Sequence, residues 1–189
     1  MKTILKTIVI FVFILMFSIQ LVSNLEFFYK LNLDNYEINK SSILNVVNYL
    51  KGKEELNQQL FNEKEITHLK DVYNLLLISK ILFVLTLLLL IILLTKNYLL
   101  KPSIYSFIFS LLLITLLLII DFNIIFLKFH QLVFFNNFWI LDPAKDLLIN
   151  LFPKHFFIAS FYSILSLFLV LHIISIFVFK VISRKITFK

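Results

Sequence analysis

Four long apolar runs, separated by polar and charged segments, dominate the hydropathy pattern of the chain. They occupy residues 4–22, 75–95, 104–120 and 156–179. About 20 apolar residues in helical conformation cross the hydrocarbon core of a bilayer, and each run approaches or reaches that length. The pattern therefore predicts an all-α integral membrane protein with four transmembrane helices, forming a single membrane domain over residues 1–189.

The first of two longer polar segments, residues 25–74, contains helical patterns of its own. One has four apolar residues at helical spacing: Ile43, Val46, Val47 and Leu50. We expect Ser41 or Ser42 to cap this short helix and Gly52 to end it. Another helical pattern begins near Asn62 and is expected to continue without a break into the second span.

The second polar segment, residues 121–155, contains the only Trp of the chain, Trp139, among many Phe residues. It is too polar for a membrane span and too apolar for an ordinary loop, so we expect it to lie at a membrane surface, where aromatic rings are enriched. Within it, Asp142-Pro143 reads as an N-cap followed by Pro at the first helical position, which predicts a short helix toward Asn150.

The distribution of charge predicts the orientation of the spans. Eight basic residues lie at the termini and in the link between the second and third spans: Lys2, Lys6, Lys96, Lys101, Lys180, Arg184, Lys185 and Lys189. All eleven Asp and Glu residues lie in the two longer polar segments. The positive-inside rule then places both termini in the cytoplasm and both polar segments outside the cell membrane. The net charge of +7 is therefore a topology signal, and nucleic acid is not an expected partner.

The amino-acid composition excludes several types of catalytic site, and the N-terminal residues indicate a membrane anchor. The chain has no Cys, which excludes thiolate nucleophiles, disulfides and Cys-based metal sites. It has one Gly, whereas phosphate-binding loops and the G-x-S-x-G elbow of serine hydrolases need several. Nucleotide chemistry and serine-hydrolase chemistry of that type are therefore not expected. The first apolar run has Lys2 just before it and Lys6 near its start, and it precedes no A-x-A-like cleavage site, so we interpret it as an uncleaved anchor.

The first group of candidate catalytic residues is Glu65, His68 and Asp71, just before the second span. Their spacing of three places them on roughly one face of a helix. A carboxylate beside an imidazole fixes its tautomer and stabilises its charged form, which suits a general base. An exposed ion pair on a solvated helix face would give the same pattern.

The second group lies in the aromatic segment. His130 is surrounded in sequence by Phe residues, and apolar surroundings keep an imidazole neutral, as a base requires. An interfacial His with its polar edge toward water is the alternative. Asn136 and Asn137 could donate hydrogen bonds to an oxyanion, or could simply end a helix. His172 lies inside the fourth run, and we expect it to serve packing.

Two motifs in the polar segments resemble the bacterial lipoprotein intramolecular transacylase family. They are Glu65-x-x-His68-x-x-Asp71-Val72 before the second span, and Phe129-His130, Phe134, Asn136, Trp139-x-x-Asp142-Pro143-x-x-Asp146 and Phe152-Pro153-x-x-Phe156 before the fourth. The resemblance extends to the four-span layout and to Asn48-Tyr49-Leu50-x-Gly52. One departure is Leu69-Lys70, where much of the family has Met before a small residue.

This resemblance implies a reaction, its partners and its site. The substrate would be a diacylglyceryl-modified lipoprotein among the lipids of the cell membrane, and no cofactor would be used. The enzyme would move the sn-2 acyl chain to the α-amine of the lipidated Cys and release a lyso-form lipoprotein. We expect His68 and His130 to form the acid–base pair with Asp71 orienting His68, and we expect four residues to bind substrate: Asn136, Trp139, Asp142 and Asp146.

Three other functions compete with this one. A non-enzymatic membrane accessory protein or chaperone would leave the outer His and Asp residues as ordinary surface. A metal-dependent membrane hydrolase would use a zinc site from His68, Asp71, His130 and a further carboxylate, although nothing in the spacing demands one. A transporter is disfavoured because the second and third spans are almost unbroken Leu, Ile and Phe, without polar positions at the midplane.

Overall fold

The computed structural model describes residues 2–33, 38–94 and 99–187. Within these ranges the chain forms helices joined by turns, including one 3₁₀ turn at Gln58–Leu60. The eight α-helices are α1 (Lys2–Asn24), α2 (Glu26–Asn32), α3 (Lys40–Leu50), α4 (Glu63–Leu94), α5 (Leu100–Ile119), α6 (Phe122–Val133), α7 (Leu147–Leu151) and α8 (Lys154–Thr187). The predicted all-α class is confirmed.

Four of these helices, α1, α4, α5 and α8, are long and apolar enough to cross a membrane. They match the four predicted spans, except that α5 ends at Ile119 and Thr95 lies outside the described residues, so the expected integral membrane protein is confirmed. In α4, the spanning part is the apolar run that begins at Leu75, because the charged residues of its first turns cannot lie in hydrocarbon. Lys96 and Lys189, used above in the charge count, lie outside the described residues.

Helix α4 begins where the sequence predicts and is capped by its own first residues. The Asn62 side chain accepts a hydrogen bond from the Glu65 backbone N–H at 3.0 Å, and the Glu65 carboxylate accepts one from the Asn62 N–H at 2.9 Å. This reciprocal capping box satisfies two N–H groups that a helix start leaves unpaired. It therefore fixes Asn62, three residues before Glu65, as the N-cap residue of α4.

Helix α3 ends at the predicted glycine. Gly52 has φ +70°, and the N–H groups of Gly52 and Lys53 bond to the carbonyls of Tyr49 and Asn48 at 2.8 and 2.9 Å. This is the Schellman arrangement, which favours Gly because a Cβ is strained at positive φ. At the other end the N-cap is Asn39, without a side-chain hydrogen bond. The prediction that Ser41 or Ser42 caps the helix is therefore wrong, since both lie inside it.

One prediction in the aromatic segment is also wrong, and one alternative left open there is excluded. Helix α7 starts at Leu147 with Asp146 as its N-cap residue, whereas Asp142-Pro143 opens a turn in which the Asp142 side chain accepts from the Ala144 N–H at 3.0 Å. The turn satisfies the carboxylate locally, so no helix is needed there. Helix α6 ends at Val133, so Asn136 does not terminate it.

The chain divides into two compact units, which are described separately. The first contains Met1–Ser23, Ser79–Ile120 and Tyr162–Lys189, and the second contains Asn24–Ile78 and Asp121–Phe161. The expectation of a single membrane domain stays a prediction.

The first unit combines aromatic packing with a buried polar cluster. Phe11 makes edge-to-face contacts with Phe109 and Phe168, at centroid distances of 5.1 and 5.3 Å. His172 is fully buried, and its Nδ1 lies 2.8 Å from the Phe168 carbonyl while its Nε2 lies 2.9 Å from the Ser106 hydroxyl. Since a carbonyl only accepts, Nδ1 carries the proton and Nε2 accepts from Ser106. The expected packing role of His172 is thus realised through hydrogen bonds between α5 and α8.

The second unit has an apolar core that carries the candidate catalytic residues. Helix α3 contributes Ile43, Val46 and Val47, all at most 2 % exposed. The remaining buried members come from other segments of the unit: Leu33, Leu56, Phe61, Leu69, Leu148, Leu151, Phe152 and Phe156. Leu69 lies directly after His68, and Leu148 lies in α7, so the same core holds both motif-bearing segments together.

Candidate active site

Asn62 and the first turns of α4 carry four residues of the site. Asn62, Glu65, His68 and Asp71 follow one another at intervals of three, so successive members are neighbours on the helix surface. Three of the four bind the segment from Phe134 to Leu148. His68, between them, makes no hydrogen bond with any described residue and has a buried Nδ1.

The two histidines lie close to each other in an aromatic setting. The ring centroids of His68 and His130 are 6.2 Å apart, and each side chain is 8 % exposed. Phe134 contacts both rings, edge-to-face at 5.1 Å for His68 and at 5.4 Å for His130. The two predicted catalytic histidines, 62 residues apart in the chain, are therefore brought together by the fold.

The tautomer of neutral His130 follows from its one hydrogen bond. Its Nδ1 lies 2.7 Å from the carbonyl oxygen of Phe126, one turn earlier in α6. Because a carbonyl can only accept, Nδ1 carries the proton, and the lone pair of the neutral ring is on Nε2. A backbone carbonyl, and not a carboxylate, thus orients this imidazole.

Aromatic rings surround His130 on several sides. The centroids of Phe126, Phe129 and Trp139 lie 4.1, 5.4 and 5.0 Å from that of the imidazole. Phe135, which follows Phe134 in the sequence, is instead fully exposed. The apolar environment expected for His130 is therefore built by Trp139 in addition to the Phe residues, and Trp139 contacts the candidate base directly.

Burial keeps both imidazoles neutral at physiological pH. The pKa of His68 falls from 6.5 to about 4, chiefly because burial penalises the imidazolium; His130 lowers it as well, and Asp71 raises it. Burial also lowers the pKa of His130, and the hydrogen bond with the Phe126 carbonyl opposes this effect.

Asp71 is bound to Asn136 and not to His68. The Asn136 amide nitrogen donates to the Asp71 carboxylate at 2.8 Å, and the Asn136 oxygen accepts from the Phe138 N–H at 3.0 Å. No hydrogen bond joins Asp71 to His68 in the described ranges. Asp71 therefore acts on His68 through its charge and holds the Asn136 loop, while one N–H of the Asn136 amide is already committed.

Asp146 and Asp142, predicted to bind substrate, have different surroundings. Asp146 is 4 % exposed and accepts from the Asn62 amide at 2.8 Å, from the Asp142 N–H at 2.6 Å and from Lys64 at 3.4 Å. The backbone bond from Asp142 is the main reason why the pKa of Asp146 is lowered. Asp142 is about half exposed and closes its own turn. Asp146 is thus saturated by protein partners, which leaves it little capacity for a ligand.

Sequence reasoning missed the role of Glu65. Its carboxylate is 1 % exposed and accepts from the Leu148 N–H at 2.7 Å in addition to the Asn62 N–H. The capping box Asn62-x-x-Glu65 was a readable signal for one of these bonds. The bond to Leu148, 83 residues away, has no local signature.

No group of three or more metal-ligating side chains occurs in the part of the chain that the structure describes. Of the donors proposed for zinc, the Asp71 carboxylate bonds to Asn136. The arrangement instead offers a neutral base and a second neutral imidazole in an aromatic enclosure. Such a pair can accept a proton at one ring and donate a hydrogen bond from the other.

The chain resembles known proteins in sequence and in structure. Residues 4–157 match the family model described as lipoprotein intramolecular transacylase Lit. The structure superposes on the integral membrane lipoprotein intramolecular transacylase Lit from Bacillus cereus with a TM-score of 0.82 and 24 % identity, covering 99 % of this chain and 96 % of that one. A variant of the same protein with a histidine replaced by alanine gives a TM-score of 0.78 at 24 % identity, covering 99 % and 94 %. No curated protein sequence matches the chain significantly. Because the family model spans most of the chain, the protein belongs to the lipoprotein intramolecular transacylase family of acyltransferases.

Proposed function

We propose that this member of the family moves the sn-2 acyl chain of a diacylglyceryl-modified lipoprotein to the α-amine of its N-terminal lipidated Cys. The assignment of roles rests on one observation: the Nδ1 of His130 bonds to the Phe126 carbonyl. This bond leaves Nε2 as the basic nitrogen of an imidazole that lies beside His68. Both reacting groups belong to one lipid anchor, so holding them together supplies much of the acceleration.

In the proposed reaction, His130 is the general base and then the general acid. Its Nε2 takes a proton from the amine as the nitrogen attacks the ester carbonyl carbon. The tetrahedral intermediate then expels the glycerol sn-2 oxygen, which receives the same proton. An N–C bond forms, an O–C bond breaks, and no water enters. The aromatic rings around His130 favour acyl transfer over hydrolysis, because they keep water away from the ester.

His68 is proposed to stabilise the oxyanion. With a pKa of about 4 it stays neutral at pH 7, and a neutral ring retains one N–H donor. The ring makes no hydrogen bond with a described residue, and because its Nδ1 is buried, the N–H offered to a developing negative charge would be that of Nε2. Asn136, whose amide donates to Asp71, and Asp71 itself would act by holding the loop beside His68. Trp139 would contact the lipid anchor next to His130.

The test uses purified protein and a synthetic diacylglyceryl lipopeptide with a free Cys amine. Wild type should convert it to an N-acyl, monoacylglyceryl product of unchanged mass, which tandem mass spectrometry and loss of amine labelling detect. His130→Ala and His68→Ala should each lower the rate by about 100-fold or more. The matched control is His155→Ala, which removes an exposed histidine of the same unit.

Each competing function has its own outcome in this assay. Full transacylation by both histidine variants would overturn the proposed mechanism. No conversion by folded wild type would favour an accessory protein. Release of free fatty acid that stops on chelation would favour a metal-dependent hydrolase.

We also propose that both termini are cytoplasmic and that the site faces outward, on the basis of the charge distribution. Because the chain has no native Cys, single cysteines report topology directly. In intact cells, a membrane-impermeant maleimide should label Lys53→Cys and not Lys101→Cys, both positions being exposed. The reverse pattern would invert the topology.

A further inference from the structure

Glu65 is a buried carboxylate that the proposed chemistry does not use. It is 1 % exposed, and its two oxygens accept separate backbone N–H groups, those of Asn62 at 2.9 Å and Leu148 at 2.7 Å. A buried charge persists only where hydrogen bonds compensate for its lost hydration. Here the two bonds join the start of α4 to the start of α7, which come from the two separate sequence motifs.

A second set of bonds reinforces the same junction. The Asn62 amide donates to Asp146 at 2.8 Å, and Lys64 lies 3.4 Å from the other oxygen of that carboxylate. Asp146 also accepts from the Asp142 N–H at 2.6 Å. The start of α4 thus holds residues 142–148 through Asn62, before the helix, and through Lys64 and Glu65 in its first turn.

The loop from Phe134 to Leu148, whose aromatic side chains contact the two histidines, is also held near its N-terminal end. Asp71, two helical turns after Glu65, binds Asn136 at 2.8 Å. Trp139, which contacts His130, lies between these attachments, and Phe134, which contacts His68, lies two residues before Asn136. His68 lies midway in α4 between Glu65 and Asp71, so the aromatic wall beside it depends on where both of these side chains hold the loop.

From this geometry we propose that Glu65 is a positioning residue: its bridge to the Leu148 N–H fixes the loop from Phe134 to Leu148 at the distance from His68 that catalysis requires. This inference rests on the proposed function for its kinetic consequence, but its structural part can be measured without activity. A displacement of about 1 Å in a positioned group is enough to lower a rate about 100-fold.

The test is Glu65→Gln in the full-length protein, with Glu63→Gln as the matched control. Glutamine is isosteric but has one oxygen, so one of the two N–H groups would face an amide NH₂ and remain unpaired. Glu63 lies in the same first turn, and its side chain is exposed, so the control removes the same charge near the same helix end. We expect Glu65→Gln to lower kcat by about 10- to 100-fold with little change in KM.

The independent readout is the titration of His68, followed by NMR on histidine-labelled protein. A displaced loop admits water, so the pKa of His68 should rise from about 4 toward 6.5 in Glu65→Gln and stay unchanged in Glu63→Gln. Asp146→Asn should shift it in the same direction, which keeps the test open if Glu65→Gln does not fold.

A folded Glu65→Gln protein with wild-type kcat and wild-type His68 titration would overturn the proposal. So would a loss of activity that only follows the loss of folded protein, with the titration unchanged in the remainder. If wild type itself does not transacylate, the proposed function fails, while the His68 titration still decides whether Glu65 positions the loop.

Discussion

Replacing Phe134 with alanine should raise the pKa of His68, because it opens the apolar wall beside that ring. The two rings meet edge-to-face at 5.1 Å, and His68 is 8 % exposed. The depression of its pKa from 6.5 to about 4 corresponds to about 3 kcal/mol, at about 1.36 kcal/mol per pH unit. Burial is the largest cause, so Phe134→Ala should recover more of this free energy than any other single change at the site.

Two further substitutions should change the pKa of His68 in opposite directions, which makes the prediction specific. His130→Gln removes a neighbour that lowers the pKa of His68, so the pKa should rise, but by less than in Phe134→Ala. Asp71→Asn removes a charge that favours the imidazolium, so the pKa should fall further. Phe134→Ala and His130→Gln should thus raise the pKa of His68, whereas Asp71→Asn should lower it.

The measurement is an NMR titration of labelled histidines in detergent or nanodiscs, with resonances assigned by His→Gln substitution. A wild-type His68 that titrates near 6.5 would refute the assignment of a buried neutral ring. A His68 pKa that does not move in Phe134→Ala, but returns to normal in His130→Gln, would show that charge and not burial sets it.

The same depression predicts how acid affects stability. The pKa of His68 is lower in the folded protein than in the unfolded chain, so the unfolded chain binds more protons between about pH 6.5 and 4. Its contribution to the free energy of unfolding is therefore intact above pH 6.5 and is lost as the pH falls to about 4, by up to about 3 kcal/mol. Phe134→Ala should weaken this pH dependence, as thermal unfolding at several pH values would reveal.

Three further predictions concern single contacts. A double-mutant cycle on Asp71→Ala and Asn136→Ala should give a coupling free energy of about 1 to 2 kcal/mol in unfolding experiments, since a charged hydrogen bond of 2.8 Å joins two half-buried side chains; independent effects would contradict it. Gly52→Ala should lower stability by about 1 kcal/mol through strain at φ +70°, and an unchanged melting temperature would count against the Schellman ending of α3. Ser106→Ala should lower stability by about 0.6 to 1.7 kcal/mol by removing a donor to His172, with transacylation unchanged; lost activity in folded protein would assign the cluster a role in the reaction.

The membrane architecture was predictable because its cause is local. A helix in hydrocarbon satisfies its own backbone, so a run of about 20 apolar residues is enough to identify one. Gly52 was predictable for the same reason, since the αL position that ends α3 depends on that residue alone. The continuous helix from near Asn62 into the second span followed from the unbroken pattern of residues 63–94.

Asp142-Pro143 shows where local signals fail. An Asp before Pro is as suitable for a turn as for a helix start, and the outcome depends on which N–H groups lie nearby. Here Asp142 bonds to Ala144, and Asp146 is the residue that precedes α7. The partners that hold Asp146, Asn62 and Lys64, are more than 80 residues away, and no sequence window contains them together.

The face shared by Glu65, His68 and Asp71 was predicted, but its chemistry was not. Spacing suggested carboxylates that orient the imidazole between them, whereas one carboxylate binds the Leu148 N–H and the other binds Asn136. Both acids thus attach α4 to the same loop and leave His68 without a hydrogen-bonding partner among the described residues. A carboxylate bonded to His68 would occupy one ring nitrogen and raise its pKa, so the observed arrangement keeps the ring neutral and its N–H open. For the oxyanion-stabilising role that we propose for His68, carboxylates that bind the surrounding loop are more useful than carboxylates that bind the imidazole.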